Sequence, residues 1–197
     1  MTRDFRLIAM LVLAAATLAG CASSPTPRFY VLNAPEQPAA AAVYSVAVGP
    51  VTVPEIVDRP QLVLRTGANE VTILEQTRWA DSLQREIPRV IAANLAQALG
   101  DARVSAYPQG IGSEPDYRVA VDIQRFDSAP GDAATVEALW RVSPGDGKSG
   151  AVRSGRSRVH EPTKGMEYDA LVAAHSRALA SISRDIAEAI RAARAAQ

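Results

Sequence analysis

From Tyr44 onward the apolar residues change their repeat from two to four and back again, which confines the chain to strands and helices sharing one core. Tyr44, Val46 and Val48 alternate with Ser45, Ala47 and Gly49, the period-2 pattern of a strand over 44–53. Gln61–Arg65 and Glu70–Leu74 read as two short strands joined by a Thr66-Gly67-Ala68-Asn69 hairpin loop. Then Trp79, Leu83, Ile87, Ile91, Leu95 and Leu99 recur every fourth residue, which predicts an amphipathic helix over 79–99 stopped by Gly100. Pro88 inside it has no N–H for the carbonyl of Gln84, so a kink or break is expected there. Alternation returns in 103–107, 117–126 and 135–142, while the polar residues 151–160 read as an edge strand or exposed hairpin arm. A second long helix is expected from Tyr168 to about Ala193, with apolar positions at Leu171, Val172, Leu179, Ile182, Ile186 and Ile190. With a first strand at 28–32, the order predicts an α+β or mixed α/β single domain. In it two long helices pack on one face of a largely antiparallel sheet.

The N-terminus follows a different logic. Arg3 and Arg6 precede an apolar run from Leu7 to Leu18, the layout of a secretory signal peptide. A membrane-spanning helix needs about 20 apolar residues, and this run is shorter. The single cysteine of the 197 residues, Cys21, lies directly behind it in Leu18-Ala19-Gly20-Cys21. That tetrapeptide resembles the lipobox of bacterial lipoproteins. The resemblance implies cleavage between Gly20 and Cys21, a diacylglycerol on the thiol and an acyl chain on the new N-terminus, with no other cofactor. It also implies that Ala22, standing where aspartate signals inner-membrane retention, directs the protein to the outer membrane of a Gram-negative bacterium, facing the periplasm. Three acyl chains should hold it there almost permanently, because one alone anchors only marginally. The chain then divides into a signal peptide (1–20), a lipidated tether (21–27) and one domain (28–197). The six residues from Ala22 to Pro27 reach about 20 Å when extended, so the domain is expected to stay close to its membrane and to need a bridging partner.

Removing residues 1–20 leaves 19 basic and 20 acidic residues, a balance that gives no support to nucleic-acid binding. Gly147-Lys148-Ser149 suggests a phosphate loop, but the first glycine of that motif would fall on Val142 and no helix is expected to follow, so a hairpin turn is the better reading. His160 and His175 are the only histidines, lack a helical His-x3-His spacing, and read as ordinary surface or helix-face residues and not metal ligands. No nucleophile elbow accompanies the serines, and the carboxylates form no evident pair, so no catalytic residue is assigned and an enzyme is not expected. Trp79 and Trp140 fit packing roles better than binding roles.

One stretch is more individual. Val53-Pro54-Glu55-Ile56-Val57-Asp58-Arg59-Pro60-Gln61 precedes a strand closed by Arg65, and Arg78-Trp79-Ala80-Asp81 follows. Together with Arg28-Phe29-Tyr30-Val31-Leu32 and Tyr168-Asp169-Ala170-Leu171-Val172, these residues resemble the ABC-type transport auxiliary lipoprotein family, the PqiC/YmbA-type lipoproteins. The resemblance implies a non-enzymatic accessory of a transporter whose periplasmic component carries MCE (mammalian cell entry) domains. Such systems move lipids or other hydrophobic molecules between the two membranes and support envelope integrity. On this reading Pro54, Asp58, Arg59, Pro60 and Arg65 are candidates for contact with the MCE protein or with further copies of the chain as a homo-oligomer. Equally, the segment could only connect two strands, with Asp58 and Arg59 paired locally. Two other functions stay open: a lipid- or small-ligand-binding lipoprotein with an apolar pocket under its helices, and a structural envelope-assembly lipoprotein.

Overall fold

The strand at residues 44–52 is the pivot of the architecture, since its neighbours on both sides run parallel to it. A computed structural model describes residues 26–36, 42–106 and 114–196, so Gly20, Cys21 and most of the tether lie outside the described residues. The elements are β1 (Arg28–Tyr30), β2 (Tyr44–Thr52), β3 (Gln61–Arg65), β4 (Val71–Trp79), α1 (Leu83–Leu99), β5 (Ala102–Ala106), β6 (Tyr117–Ser128), β7 (Ala133–Pro144), β8 (Arg153–Pro162) and α2 (Tyr168–Arg194). They form an α+β domain with a five-stranded sheet ordered β5-β2-β6-β7-β8 and a three-stranded sheet ordered β1-β4-β3. The long ladders, β6 with β7 and β7 with β8, are antiparallel, whereas β1–β4, β2–β5 and β2–β6 are parallel. Both sheets are therefore mixed, a refinement of the largely antiparallel sheet expected from the sequence.

Both helices lie on one face of the larger sheet. Val46, Val48, Val119, Val121, Ile123, Val136, Ala138 and Val142 meet Ile87, Ile91, Leu95, Leu179, Ile182, Ile186 and Ile190, all essentially removed from solvent. Each such large aliphatic side chain contributes about 1.5–3 kcal/mol by burial, so this seam is the main stabilising element. Alanines 174, 178, 187 and 193 of α2 are buried as well and let the helix approach the sheet closely. The smaller sheet joins the same core through Leu62, and Leu64 packs with Ala134, Leu171 and Ala174.

Two boundaries differ from the periodic reading. Trp79 ends β4 instead of starting α1: it pairs with Tyr30 and donates its N–H to the Pro60 carbonyl at 2.7 Å. The helix begins only at Leu83 because Ser82 is extended and its carbonyl accepts the N–H groups of Arg85 and Glu86. Asp81 reinforces this start by accepting from the Ser82 N–H and from the side chains of Arg85 and Arg89, and hydrogen bonding to Arg85 holds its carboxyl below the usual range. The expected break at Pro88 is absent, and α1 runs continuously from Leu83 to Leu99 with Pro88 buried. A proline in the second turn removes one backbone donor only, and apolar packing on both sides outweighs that loss.

The segment leading out of the tether is clasped by the domain. The Ala80 N–H donates to the Tyr30 carbonyl at 2.8 Å, the Leu32 N–H to Glu86 Oε2 at 3.1 Å, and the Asn33 N–H to Ser176 Oγ at 2.9 Å. Residues 30–33 are thus tied to β4 and to both helices.

Candidate functional site

Loop 53–60 folds as a tight turn in which the Pro54 carbonyl accepts the N–H groups of Val57 and Asp58. Val57 inserts into the core, which turns Glu55, Ile56, Asp58 and Pro60 outward, with Ile56 47 % exposed. Asp58 and Arg59 do not pair as the local alternative supposed; Asp58 Oδ2 instead accepts from Gln84 Nε2 at 2.7 Å and pins the loop to α1. Arg59 is half-buried, and its Nε has no hydrogen-bond partner among the described residues. The surface this loop offers is thus the exposed Ile56 with the outward Glu55 and Asp58.

Arg65 is not part of that cluster. It stands at the other end of β3, about 13 Å away along the strand by the usual rise per residue. Its guanidinium donates to both Asp127 oxygens, at 2.7 and 3.2 Å, and to the Ala68 carbonyl at 3.1 Å. Arg125 Nε donates to the same carboxylate. Burial pushes the Asp127 carboxyl up, but the hydrogen bonds from Arg65 and Arg125 outweigh it and hold the group below the usual range. Arg65 therefore ties the small sheet to β6.

A surface that sequence reasoning did not single out is the uncovered face of the five-stranded sheet. Side chains alternate along a strand, so the residues between the core positions of β6, β7 and β8 all point away from the helices. They place Arg118, Ala120, Asp122, Arg125 and Asp127 beside Arg141, Leu139, Glu137 and Thr135, and these beside Ser154, Arg156, Arg158 and His160. A groove of about 690 Å³ runs over Pro50, Ala120, Leu139 and Arg141, with Leu139 42 % exposed at its floor. Glu137 is 7 % exposed and is shared by Arg156 and Arg158. The signal was present in the outward positions of residues 154–158, where arginine recurs at 156 and 158 on a strand otherwise read only as an edge.

The other candidate groups are structural. Lys148 and Ser149 lie in the turn between β7 and β8, where Lys148 pairs with Asp116 and the Gly145 N–H donates to the Asp116 carbonyl. Hydrogen bonding to Lys148 lowers the Asp116 carboxyl. His160 Nδ1 bonds Thr135 Oγ1 on the open face. His175, expected on a surface or a helix face, is fully buried: its ring stacks on Phe126 at 4.0 Å, and Nε2 meets Ser128 Oγ at 2.8 Å. Burial pushes its pKa down to about 3 against a weaker opposing pull from Asp127, so it is neutral in the folded protein at physiological pH. Trp140 lies across Gly155, where an added Cβ would come within 2.3 Å of the ring, and donates through Nε1 to Ser157 Oγ, which in turn donates to Asp185 of α2. Trp79 packs edge-on to Phe126 and His175 in the core. Among the described residues no three His, Cys, Asp or Glu side chains stand together as a metal site, and no helix is long and apolar enough to cross a membrane.

An α+β domain with both helices on one side of its main sheet, a clasped N-terminal segment and an open ionic face on the other side is the class these elements define. The chain belongs to the ABC-type transport auxiliary lipoprotein component family, whose model matches residues 30–187. No curated protein matches it. Among solved structures, an uncharacterized protein aligns with a TM-score of 0.69 at 20 % identity, covering 84 % of this chain and 99 % of its own. Protein XCC0632 from Xanthomonas campestris, of the DUF330 family, aligns with a TM-score of 0.61 at 21 % identity, covering 81 % of this chain and 92 % of its own. These two share the fold. A PelC dodecamer from Paraburkholderia phytofirmans is more distant, with a TM-score of 0.43, 12 % identity and coverage of 76 % and 91 %.

Proposed function

We propose that this auxiliary lipoprotein is held at the outer membrane by acyl chains on Cys21 and docks the periplasmic MCE-domain component of a lipid transporter without catalysing a reaction itself. The observation that carries the reading is the clasp on residues 30–33, which ties the segment nearest Cys21 to both helices. A lipid on Cys21 would then fix the position of the domain as well as its address, with only the residues before Arg28 left as slack. Such a domain suits a fixed mount for a partner that spans the remaining distance. Its family supplies the link to an ABC-type transport system.

The loop at 54–60 is the first surface to test as the MCE contact, because it presents the exposed Ile56 together with the outward Glu55 and Asp58. Converting Asp58 and Arg59 together to alanine is expected to leave membrane fractionation unchanged and to lower co-purification of the MCE-domain protein by about tenfold, the effect of losing one well-placed contact in a small interface. Full recovery of the partner would remove the loop from the interface.

A further inference from the structure

The uncovered sheet face carries five arginines, Arg118, Arg125, Arg141, Arg156 and Arg158, and three carboxylates, Asp122, Asp127 and Glu137, while Glu114 and Asp146 reach Arg118 from the adjoining loops. The arginines are not equally engaged. Arg118 is held by Glu114 and Asp146, Arg125 by Asp127, and Arg156 by Glu137. Arg158 shares Glu137 at a looser 4.0 Å, and Arg141 has no ion-pair or hydrogen-bond partner among the described residues. Between these last two, on the same face of the sheet, lies the exposed Leu139, two residues from Arg141 and two from Glu137, which pairs with Arg158.

We propose that this face is a docking surface for an extended acidic segment of a partner protein, which seats one apolar side chain on Leu139, Pro50 and Ala120 and places carboxylates on Arg141 and Arg158. The spacing fits an extended chain: same-face residues of a strand repeat at about 6.8 Å, which separates Arg141 from Leu139 and Leu139 from Glu137, with Arg158 opposite Glu137 on the neighbouring strand. Acid, apolar and acid side chains at positions i, i+2 and i+4 of a segment that crosses from β7 toward β8 would meet Arg141, Leu139 and Arg158. Arginine favours a carboxylate here because its planar donors can bind both oxygens at once. A lipid is the poorer occupant. The groove is shallow and open to solvent along the sheet, so it does not enclose an acyl chain. The recognition chemistry is read from this face alone and does not depend on the identity of the transporter component or on loop 54–60.

The test uses the full lipidated protein in detergent and a fluorescent synthetic peptide of about ten residues carrying glutamates at i and i+4 around a leucine at i+2, followed by anisotropy at low ionic strength. The glutamate peptide is expected to bind about tenfold tighter than its glutamine counterpart, and Arg141→Glu to erase that difference. Arg141 is exposed and unpaired, so this change leaves folding intact, and Arg158→Glu provides a second reading on the opposite side of Leu139. Arg184→Glu, on α2 and away from the face, should change nothing. Equal binding of the two peptides, or indifference to both substitutions on the face, would overturn the proposal. So would Arg141-dependent binding of phosphatidylglycerol-containing vesicles in the absence of peptide binding, which would assign the face to lipid.

Discussion

Lowering the pH from 7.0 to about 5 is expected to destabilise the domain by about 2 kcal/mol through His175, and His175→Gln should remove that slope. The imidazole is fully buried with its pKa pushed down to about 3, whereas in the unfolded chain it titrates near 6.5. Between those two values the unfolded state binds a proton that the folded state refuses. Stability from this group is therefore complete above about pH 6.5 and falls on acidification by up to about 1.4 kcal/mol per pH unit. Glu86 acts in the opposite direction. Burial raises its carboxyl against the Leu32 N–H, so acidification relieves its desolvation and offsets part of the loss. Asp81, Asp116 and Asp127 are all lowered from 3.8, so the stability they contribute is present in this range and is lost only on stronger acidification. Denaturant unfolding at pH 7.0 and at about pH 5 measures the effect. The glutamine variant should be less stable at pH 7.0, having lost the ring stack on Phe126, yet nearly flat between the two conditions. An unchanged slope in the variant would move the acid sensitivity to other groups.

A still larger effect is expected in the location of the protein when Cys21 becomes serine. Each buried methylene of an acyl chain contributes about 0.8 kcal/mol to membrane affinity, and three chains together make dissociation negligible. The serine variant should therefore leave the outer-membrane fraction almost entirely, as an unprocessed precursor or a soluble domain, while the domain keeps its fold. Persistent outer-membrane fractionation would mean that the thiol is not the point of attachment.

The helices and most strands could be read from the chain because their signals are local. The four-residue repeat from Leu83 to Leu99 and the alternation in β6 and β7 depend on neighbours in sequence. What was hidden depends on partners distant in sequence. Nothing local to Tyr44–Thr52 says that both of its neighbours are parallel, because β5 and β6 reach it only after the chain has passed through β3, β4 and α1. Trp79 fits the helical repeat by spacing alone, yet its backbone is claimed by Pro60 and Tyr30. His175 was legible in retrospect, since Leu171, His175 and Leu179 stand four residues apart on the buried stripe of α2. In the candidate surfaces, Pro54, Asp58, Arg59 and Pro60 fall in one exposed turn, whereas Arg65 is drawn away by Asp127, a partner that lies 62 positions along the chain. The arginine face needed three strands in register before the unpaired Arg141 could be seen beside Leu139 and Arg158.

The proposed mount is a lipid-anchored domain that meets an MCE-domain protein at the outer membrane. Its most direct test is chemical cross-linking in intact cells, followed by density-gradient separation of the two membranes and identification of the cross-linked species by mass spectrometry. The native protein is predicted to band with the outer membrane and to carry the MCE-domain component covalently attached. Recovery with the inner membrane, with no MCE-domain protein among its cross-links, would contradict it.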